Sequence, residues 1–383
     1  MRYFLLTIAC LYSFTCEVSA DATPAFETTA RNAILMDYKS GHVFLEKDAD
    51  TPIPPASMSK MMTQAIVFDM LKAGELKLDQ QFTVSADASK RGGVAEGSST
   101  MFAAPNSKVS VDNLLHGAII DSANDACIAL AEGIAGTEPA FAQRMMAKAQ
   151  ELGLKHSSFA NSTGLPDPSQ RMSVRDLATL ARYIIGKHPD FYKIYGEQEF
   201  TWSKITQQNR NPLLKDYPGA DGMKTGYTEE AGYSLVGSAT RDGRRLILVV
   251  AGMQDAAKRK IEAQKLLDHG FAQFKSVSIY EAGDVVSNVR VWGGLQQSVN
   301  LITPDDFRVS LAAFEQQKAD IRLTYKGPLI APLKQGTPVG TMRITVDGAL
   351  VAEQPVTIAN DVDATNNMWR KAADSALMMI FGG

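Results

Sequence analysis

The sequence predicts an α/β domain followed by a small all-β domain and a C-terminal amphipathic helix. In the first domain an antiparallel sheet is covered by helices, with a helical lobe set between its first and later strands. Three observations carry this expectation. Strand patterns open the chain, helical patterns fill roughly 57–190, and strands return after 200, the order of a sheet interrupted by a helical insertion. From about residue 278 the texture changes to short alternating runs such as "DVVSNVRVWGG" and "GTMRITVDGALVAEQPVTI", separated by turn residues. Finally, 383 residues exceed what one hydrophobic core fills, roughly 250–300 residues.

Composition narrows the classes. With 45% hydrophobic residues, 21% charged residues and a formal net charge of -3, the chain has the make-up of an ordinary globular protein with no basic excess for nucleic acid.

The elements follow in order. Residues 1–20, "MRYFLLTIACLYSFTCEVSA", combine Arg2 with an apolar run and end in Val18-Ser19-Ala20, the pattern of an export signal cleaved before Asp21. A transmembrane helix is the alternative, but the run is short and Cys16 and Glu17 interrupt its end. Removal of that segment leaves Cys127 as the one mature cysteine, inside an apolar helical stretch where a structural thiol is expected.

Residues 21–277 form the first expected domain. "NAILMDYKSGHVFLEKD" reads as a hairpin around Ser40-Gly41, and the helical segment carries glycine breaks at Gly74, Gly117 and Gly153. "GYSLVGSAT" and "RRLILVVAGM" flank "RDG" as a second hairpin, and a helix follows from 255. Residues 278–362 are the all-β domain, in which no helix is expected. Residues 363–383 place Trp369, Ala372, Ala373, Ala376, Leu377 and Ile380 on one stripe opposite Arg370, Lys371 and Asp374, which suits a helix lying in a membrane interface.

The chemistry begins in "PPASMSKMM". On a helix Ser57 and Lys60 share a face, and the free N–H groups of a helix start favour a developing oxyanion. Serine needs a base, and lysine can be one where burial lowers its pKa, as in the apolar helix that follows. Ser-x-x-Lys alone occurs by chance about once in a chain of this length. Two companions give it weight: Ser122-Ala123-Asn124 in "IIDSANDACIAL", and Lys224-Thr225-Gly226 in "GADGMKTGYT", a tripeptide with a chance rate of roughly one in twenty. The five histidines are scattered without ligand spacing, so neither a metal nor another cofactor is expected. The "KRK" at 258–260 reads as a solvated helix face.

This set resembles the active-site serine penicillin-recognising enzymes, and within them the low-molecular-mass penicillin-binding proteins that are D-alanyl-D-alanine carboxypeptidases. The likeness extends through "FTW", "ITQQNRN" and "AGYSLVGSAT" to the β domain and the tail. It implies a transpeptidase/β-lactamase-like first domain and a β-sandwich-like second one. It also implies that Ser57 attacks the penultimate D-alanine carbonyl of a peptidoglycan stem peptide, Lys60 is the base, and Ser122 relays a proton to the leaving amine. Asn124 holds the substrate amide or Lys60; Lys224 keeps Lys60 neutral and, with Thr225, meets the substrate carboxylate. The oxyanion hole falls to the N–H groups of Ser57 and Tyr227, and Gly226 lets substrate approach the strand. Arg245 is a candidate second carboxylate contact, with Arg244 beside it equally placed. β-Lactams become covalent inhibitors, and the place is the periplasm, peripherally anchored to the outer face of the inner membrane. Alternatives on the same scaffold are a DD-endopeptidase, a β-lactamase, for which the Glu-x-x-Leu-Asn of class A enzymes is missing, and a non-catalytic wall-binding protein. The loop 161–173, "NSTGLPDPSQRMS", carries no assigned residue.

Overall fold

The computed structural model describes residues 3–7, 26–93, 97–369, 372 and 374. Its chain divides into two compact units, one formed by residues 25–39 and 43–271, the other by 1–24, 40–42 and 272–383.

The first unit is built on a five-stranded antiparallel sheet. Strands β1 (Asn32–Asp37) and β2 (Val43–Lys47) form the opening hairpin. Helices α1 (Lys60–Ala73), α2 (Val111–Ile119), α3 (Asn124–Ala135), α4 (Glu138–Glu151) and α5 (Val174–Lys187) come next. Strands β3 (Ala220–Thr228), β4 (Gly232–Arg241) and β5 (Arg244–Met253) then return, and α6 (Ala256–Gln273) follows. The strand order is β2-β1-β5-β4-β3, so the Lys-Thr-Gly strand β3 is an edge. Asp242-Gly243, both at positive φ, make the tight β4–β5 turn, and positive φ at both turn residues suits the twist of the strands they join.

The core explains the helical lobe. In α1, Met61, Met62, Ala65, Val67 and Phe68 are all fully buried, so the helix runs through the interior rather than along a face. It stops at Gly74, whose φ of 75° permits the left-handed cap. Gly117 does not break a helix as the sequence suggested. It sits inside α2, where a Cβ would meet the Met101 sulfur at 2.7 Å, so close packing is the reason for that glycine. Cys127 is fully buried, and desolvation pushes its thiol up to about 12, which leaves it inert.

The second unit has its own core, which includes Val289, Leu301, Val309, Leu323, Ile344 and Val356. Its strands are β6 (Phe274–Tyr280), β7 (Val285–Trp292), β8 (Ser298–Ile302), β9 (Phe307–Ala312), β10 (Ala319–Lys326), β11 (Leu329–Ile330), β12 (Pro338–Val346) and β13 (Ala349–Ile358). β6 pairs with β9, while β10-β12-β13-β8-β7-β11 form the larger sheet. The unit opens at Ala272, ahead of the change in texture at 278, because β6 already belongs to it. A helical turn, Ala313–Gln316, corrects the expectation of a helix-free domain. Its start is stabilised locally, since the Glu315 carboxylate accepts from the backbone N–H of Ala312.

Of the expected export signal only Tyr3–Thr7 are described, as an edge strand antiparallel to β10. The rest of 1–20, and most of 363–383, lie outside the described residues. Among the described residues no helix is long and apolar enough to cross a membrane.

Candidate active site

Pro54-Pro55 leads into a 3-10 turn, Ala56–Ser59, and α1 begins only at Lys60. The sequence pointed to one α-helical face; the tighter turn eclipses positions three apart and brings the pair closer still. Lys60 Nζ donates to Ser57 Oγ at 2.8 Å and to the Thr163 carbonyl at 2.6 Å. The amine is fully buried, and desolvation lowers it to about 8, with the positive charge of Arg210 acting in the same direction. The second buried lysine of the site, Lys224, also feels the charge of Lys60, so each opposes protonation of the other. Lys224 is itself completely enclosed, and burial followed by the charge of Lys60 drives it well below the ordinary lysine range.

Ser122 lies in the short link between α2 and α3, and Asn124 opens α3. Lys224, on the edge strand, donates to Ser122 Oγ at 2.8 Å and to its neighbour's carbonyl, that of Thr225, at 3.2 Å. Among the described residues Asn124 makes no hydrogen bond to Lys60. Its Nδ2 donates to Ser98 Oγ at 2.9 Å, and its Oδ1 is buried without a partner, an acceptor left facing no donor. Ala56 and Ser122 both hold positive φ, 47° and 59°, conformations that cost a non-glycine residue about 1–3 kcal/mol and gather at functional sites.

These groups share one cleft of about 470 Å³, to which Ser57, Ser122, Asn124, Thr225, Gly226 and Tyr227 all contribute walls. Gly226 lies against the turn that carries Ser57; a Cβ there would stand 3.0 Å from the Pro55 carbonyl oxygen. Among the described residues lining the cleft there is no carboxylate.

Arg245 does not line it. Its guanidinium makes a two-pronged ion pair with Asp221, at 2.7 and 2.6 Å, and donates to Ser238 Oγ at 2.7 Å, so its charge is already committed. Arg244 donates to the Gly270 carbonyl instead. The cations of the cleft wall are Arg210 and Arg259. Arg259 belongs to "KRK"; its neighbours Lys258 and Lys260 carry the solvated face, while Arg259 turns inward over the Tyr233 ring, 5.7 Å from its centroid. "ITQQNRN" was legible as part of the resemblance, but nothing in the motif marked Arg210.

Sequence reading also missed the 161–173 loop's part. Asn161 Oδ1 accepts from Thr163 N, Thr163 Oγ1 and Gly164 N, folding the segment into a tight turn that aims the Thr163 carbonyl at Lys60. The Glu138 carboxylate clamps it from α4 through Ser162 N and Oγ. Among the described residues no group of His, Cys, Asp and Glu side chains could hold a metal ion.

Comparison with known proteins places the chain among bacterial relatives. Residues 17–255 match the family model described as D-alanyl-D-alanine carboxypeptidase, and residues 274–364 match the C-terminal domain of penicillin-binding protein 5. The chain is 40% identical to D-alanyl-D-alanine carboxypeptidase DacC of Escherichia coli over 356 residues, 92% of this chain and 89% of that one. Penicillin-binding protein 5 of Haemophilus influenzae superposes with a TM-score of 0.78 at 40% identity, over 88% of this chain and 98% of that one. Penicillin-binding protein D2 of Listeria monocytogenes, solved in its ampicillin-bound form, gives 0.56 at 29% identity over 65% of this chain and 99% of that one.

Proposed function

The chain belongs to the D-alanyl-D-alanine carboxypeptidase family, and from that premise we propose that it removes the terminal D-alanine from D-Ala-D-Ala-ended peptidoglycan stem peptides through an acyl-enzyme on Ser57. The observation that carries the reading is the buried Lys60 amine 2.8 Å from Ser57 Oγ, beside a second buried lysine 2.8 Å from Ser122 Oγ.

Ser57 Oγ attacks the carbonyl carbon of the penultimate D-alanine while its proton passes to neutral Lys60, and the negative charge gathers on the carbonyl oxygen between the N–H groups of Ser57 and Tyr227. The C–N bond then breaks. Ser122 hands a proton to the leaving amine and is reprotonated by Lys224, which takes back the proton that Lys60 removed from Ser57, so Lys60 is neutral again as free D-alanine departs. Water attacks the ester, its proton goes to Lys60 and from there to Ser57 Oγ as the Ser57–acyl bond breaks, and the shortened peptide leaves with the enzyme restored. Substrate binding assists this sequence electrostatically: an incoming carboxylate favours the charged form of Lys224, so the amine regains its proton when there is an anion to meet. Thr225, Arg210 and Arg259 are the further donors we assign to that carboxylate, with Arg245 withdrawn. Asn124 Oδ1 accepts the substrate amide N–H.

A β-lactam presents the same reacting carbonyl, so it acylates Ser57. Among the described residues the cleft wall carries no carboxylate, where class A β-lactamases use a glutamate to activate the deacylating water. We further propose that residues 1–20 direct export and are removed, that 278–362 act as a spacer, and that 363–383 anchor the enzyme to the outer face of the inner membrane, the stripe led by Trp369 supporting the last point.

The test is D-alanine release from a pentapeptide ending in D-Ala-D-Ala, together with the mass of the protein after exposure to a penicillin. Wild type releases D-alanine and gains the mass of the drug. Ser57→Ala does neither, with release reduced by roughly three orders of magnitude or more. Rapid hydrolysis of a chromogenic cephalosporin without D-alanine release would overturn the reading.

A further inference from the structure

The two cations of the cleft wall are held in different ways. Arg210 is anchored by a hydrogen bond, its Nη1 donating to Ser99 Oγ at 2.9 Å. Arg259 has no such anchor. Among the described residues no carboxylate pairs with it and no hydrogen bond reaches its side chain, and its Nε is wholly enclosed without a partner. A buried polar group in that condition works against the fold, and in a native protein it calls for an explanation.

What lies against the guanidinium is the ring of Tyr233, whose centroid is 5.7 Å from the central carbon. The sheet fixes that ring. Tyr233, in β4, stands directly opposite Tyr227 of the edge strand β3, and the two rings are tilted by 35° with centroids 4.3 Å apart; on the other side Met253 of β5 is its partner in register. β5 leads into α6, whose first turn carries Arg259, its backbone N–H donating to the Asp255 carbonyl at 3.1 Å. Tyr227, Tyr233 and Arg259 all line the cleft together with Thr225. Arg245 shows the alternative way to hold a guanidinium: the Asp221 carboxylate takes up its forked N–H groups and leaves none for a ligand. A ring face attracts the cation through its quadrupole yet leaves those N–H groups free to donate.

We propose that Tyr233 is a positioning residue: its ring, braced by Tyr227, holds the Arg259 guanidinium in the cleft wall with its N–H groups available to the terminal carboxylate of the substrate. The inference rests on the reading above that Arg259 meets that carboxylate. The ring face does this alone, since among the described residues no hydrogen bond involves the Tyr233 hydroxyl. The carboxylate is held both in the bound substrate and in the acylation transition state, so loss of the contact appears in KM and leaves kcat in place.

The experiment measures KM and kcat for D-alanine release from a D-Ala-D-Ala-ended peptide in wild type, Tyr233→Leu, Tyr233→Phe, Arg259→Gln and the double variant of Tyr233→Leu with Arg259→Gln. Tyr233→Leu raises KM about fivefold, the size expected of a half-buried cation–π contact, while kcat stays within about twofold of wild type. Tyr233→Phe keeps the ring face and the wild-type KM, and in the Arg259→Gln background the leucine change does nothing further. A Tyr233→Leu enzyme with wild-type KM, a phenylalanine variant as weak as the leucine one, or a leucine effect that persists without Arg259 overturns the proposal, while a raised KM in Arg259→Gln leaves the carboxylate reading standing. An Arg259→Gln enzyme with unchanged KM removes the carboxylate contact itself, and the proposal falls with it. Should Tyr233→Leu fail to fold, Tyr227→Leu in the Ser57→Ala protein decides, because it removes the bracing ring and keeps the backbone N–H. Affinity then falls about twofold or more for a carboxylate-ended peptide alone, and an equal fall for its amide overturns the proposal.

Discussion

At the scale of the residue, Lys60 controls both rate and stability. Its amine is lowered from 10.5 to about 8 by burial, and only the neutral form accepts a proton. Acylation by a penicillin therefore rises about tenfold per pH unit below 8 and levels off above it, measured as the second-order rate of adduct formation. Stability follows the same titration. Between 8 and 10.5 the unfolded chain holds the proton and the native one does not, so native stability increases with pH through that window. Relative to Lys60→Met, wild type gains about 3 kcal/mol from pH 8 to 10.5, readable in paired urea titrations. An Ser57–Lys60 pair with an ordinary amine would show neither slope.

At the scale of the element, the site depends on a turn that no motif contains. Gly164 holds φ at 81°, and a Cβ there would lie 1.9 Å from the Ala56 carbonyl oxygen, inside the turn that presents Ser57. Gly164→Ala loses about 2 kcal/mol or more, and penicillin labelling slows with it, because the same displacement moves Thr163 away from Lys60; thermal denaturation and adduct mass test the two halves. Asp125→Ala strips four donors of their acceptor and costs about 3 kcal/mol or more by denaturant titration. This scale also shows what a sequence discloses. Ser57 with Lys60, Ser122 with Asn124, and Lys224 to Gly226 could be read because each group is contiguous and tied to its element. Thr163 could not, since its contribution is a backbone carbonyl that every residue type possesses. Arg210 and Arg259 were hidden for another reason: whether an arginine faces water or a cleft depends on packing between distant segments. Arg245 was misplaced by the same blindness, because Asp221, its partner, is 24 residues away in the chain.

At the scale of the whole molecule, every described residue that lines the cleft lies within 25–271, and the second unit encloses a separate core. A chain ending after Phe271 keeps penicillin labelling within about threefold of the full protein, since nothing in the acylation machinery is removed. Deleting 364–383 leaves D-alanine release from a soluble peptide unchanged and abolishes sedimentation with anionic lipid vesicles; retained sedimentation would move the anchor elsewhere. The division into strands, lobe and β module was legible because hydrophobic periodicity shifts at each boundary. The one-turn helix at 313–316 was not, being too short to establish a period. The left-handed backbone at Ala56 and Ser122 carries its own consequence. Replacement by glycine relieves a conformation that the site imposes, at the turn holding the nucleophile or at the hydroxyl that meets Lys224. Ser122→Gly therefore separates the two properties, removing the hydroxyl that meets Lys224 while easing the backbone, so reactivity can be lost at this position without loss of the fold.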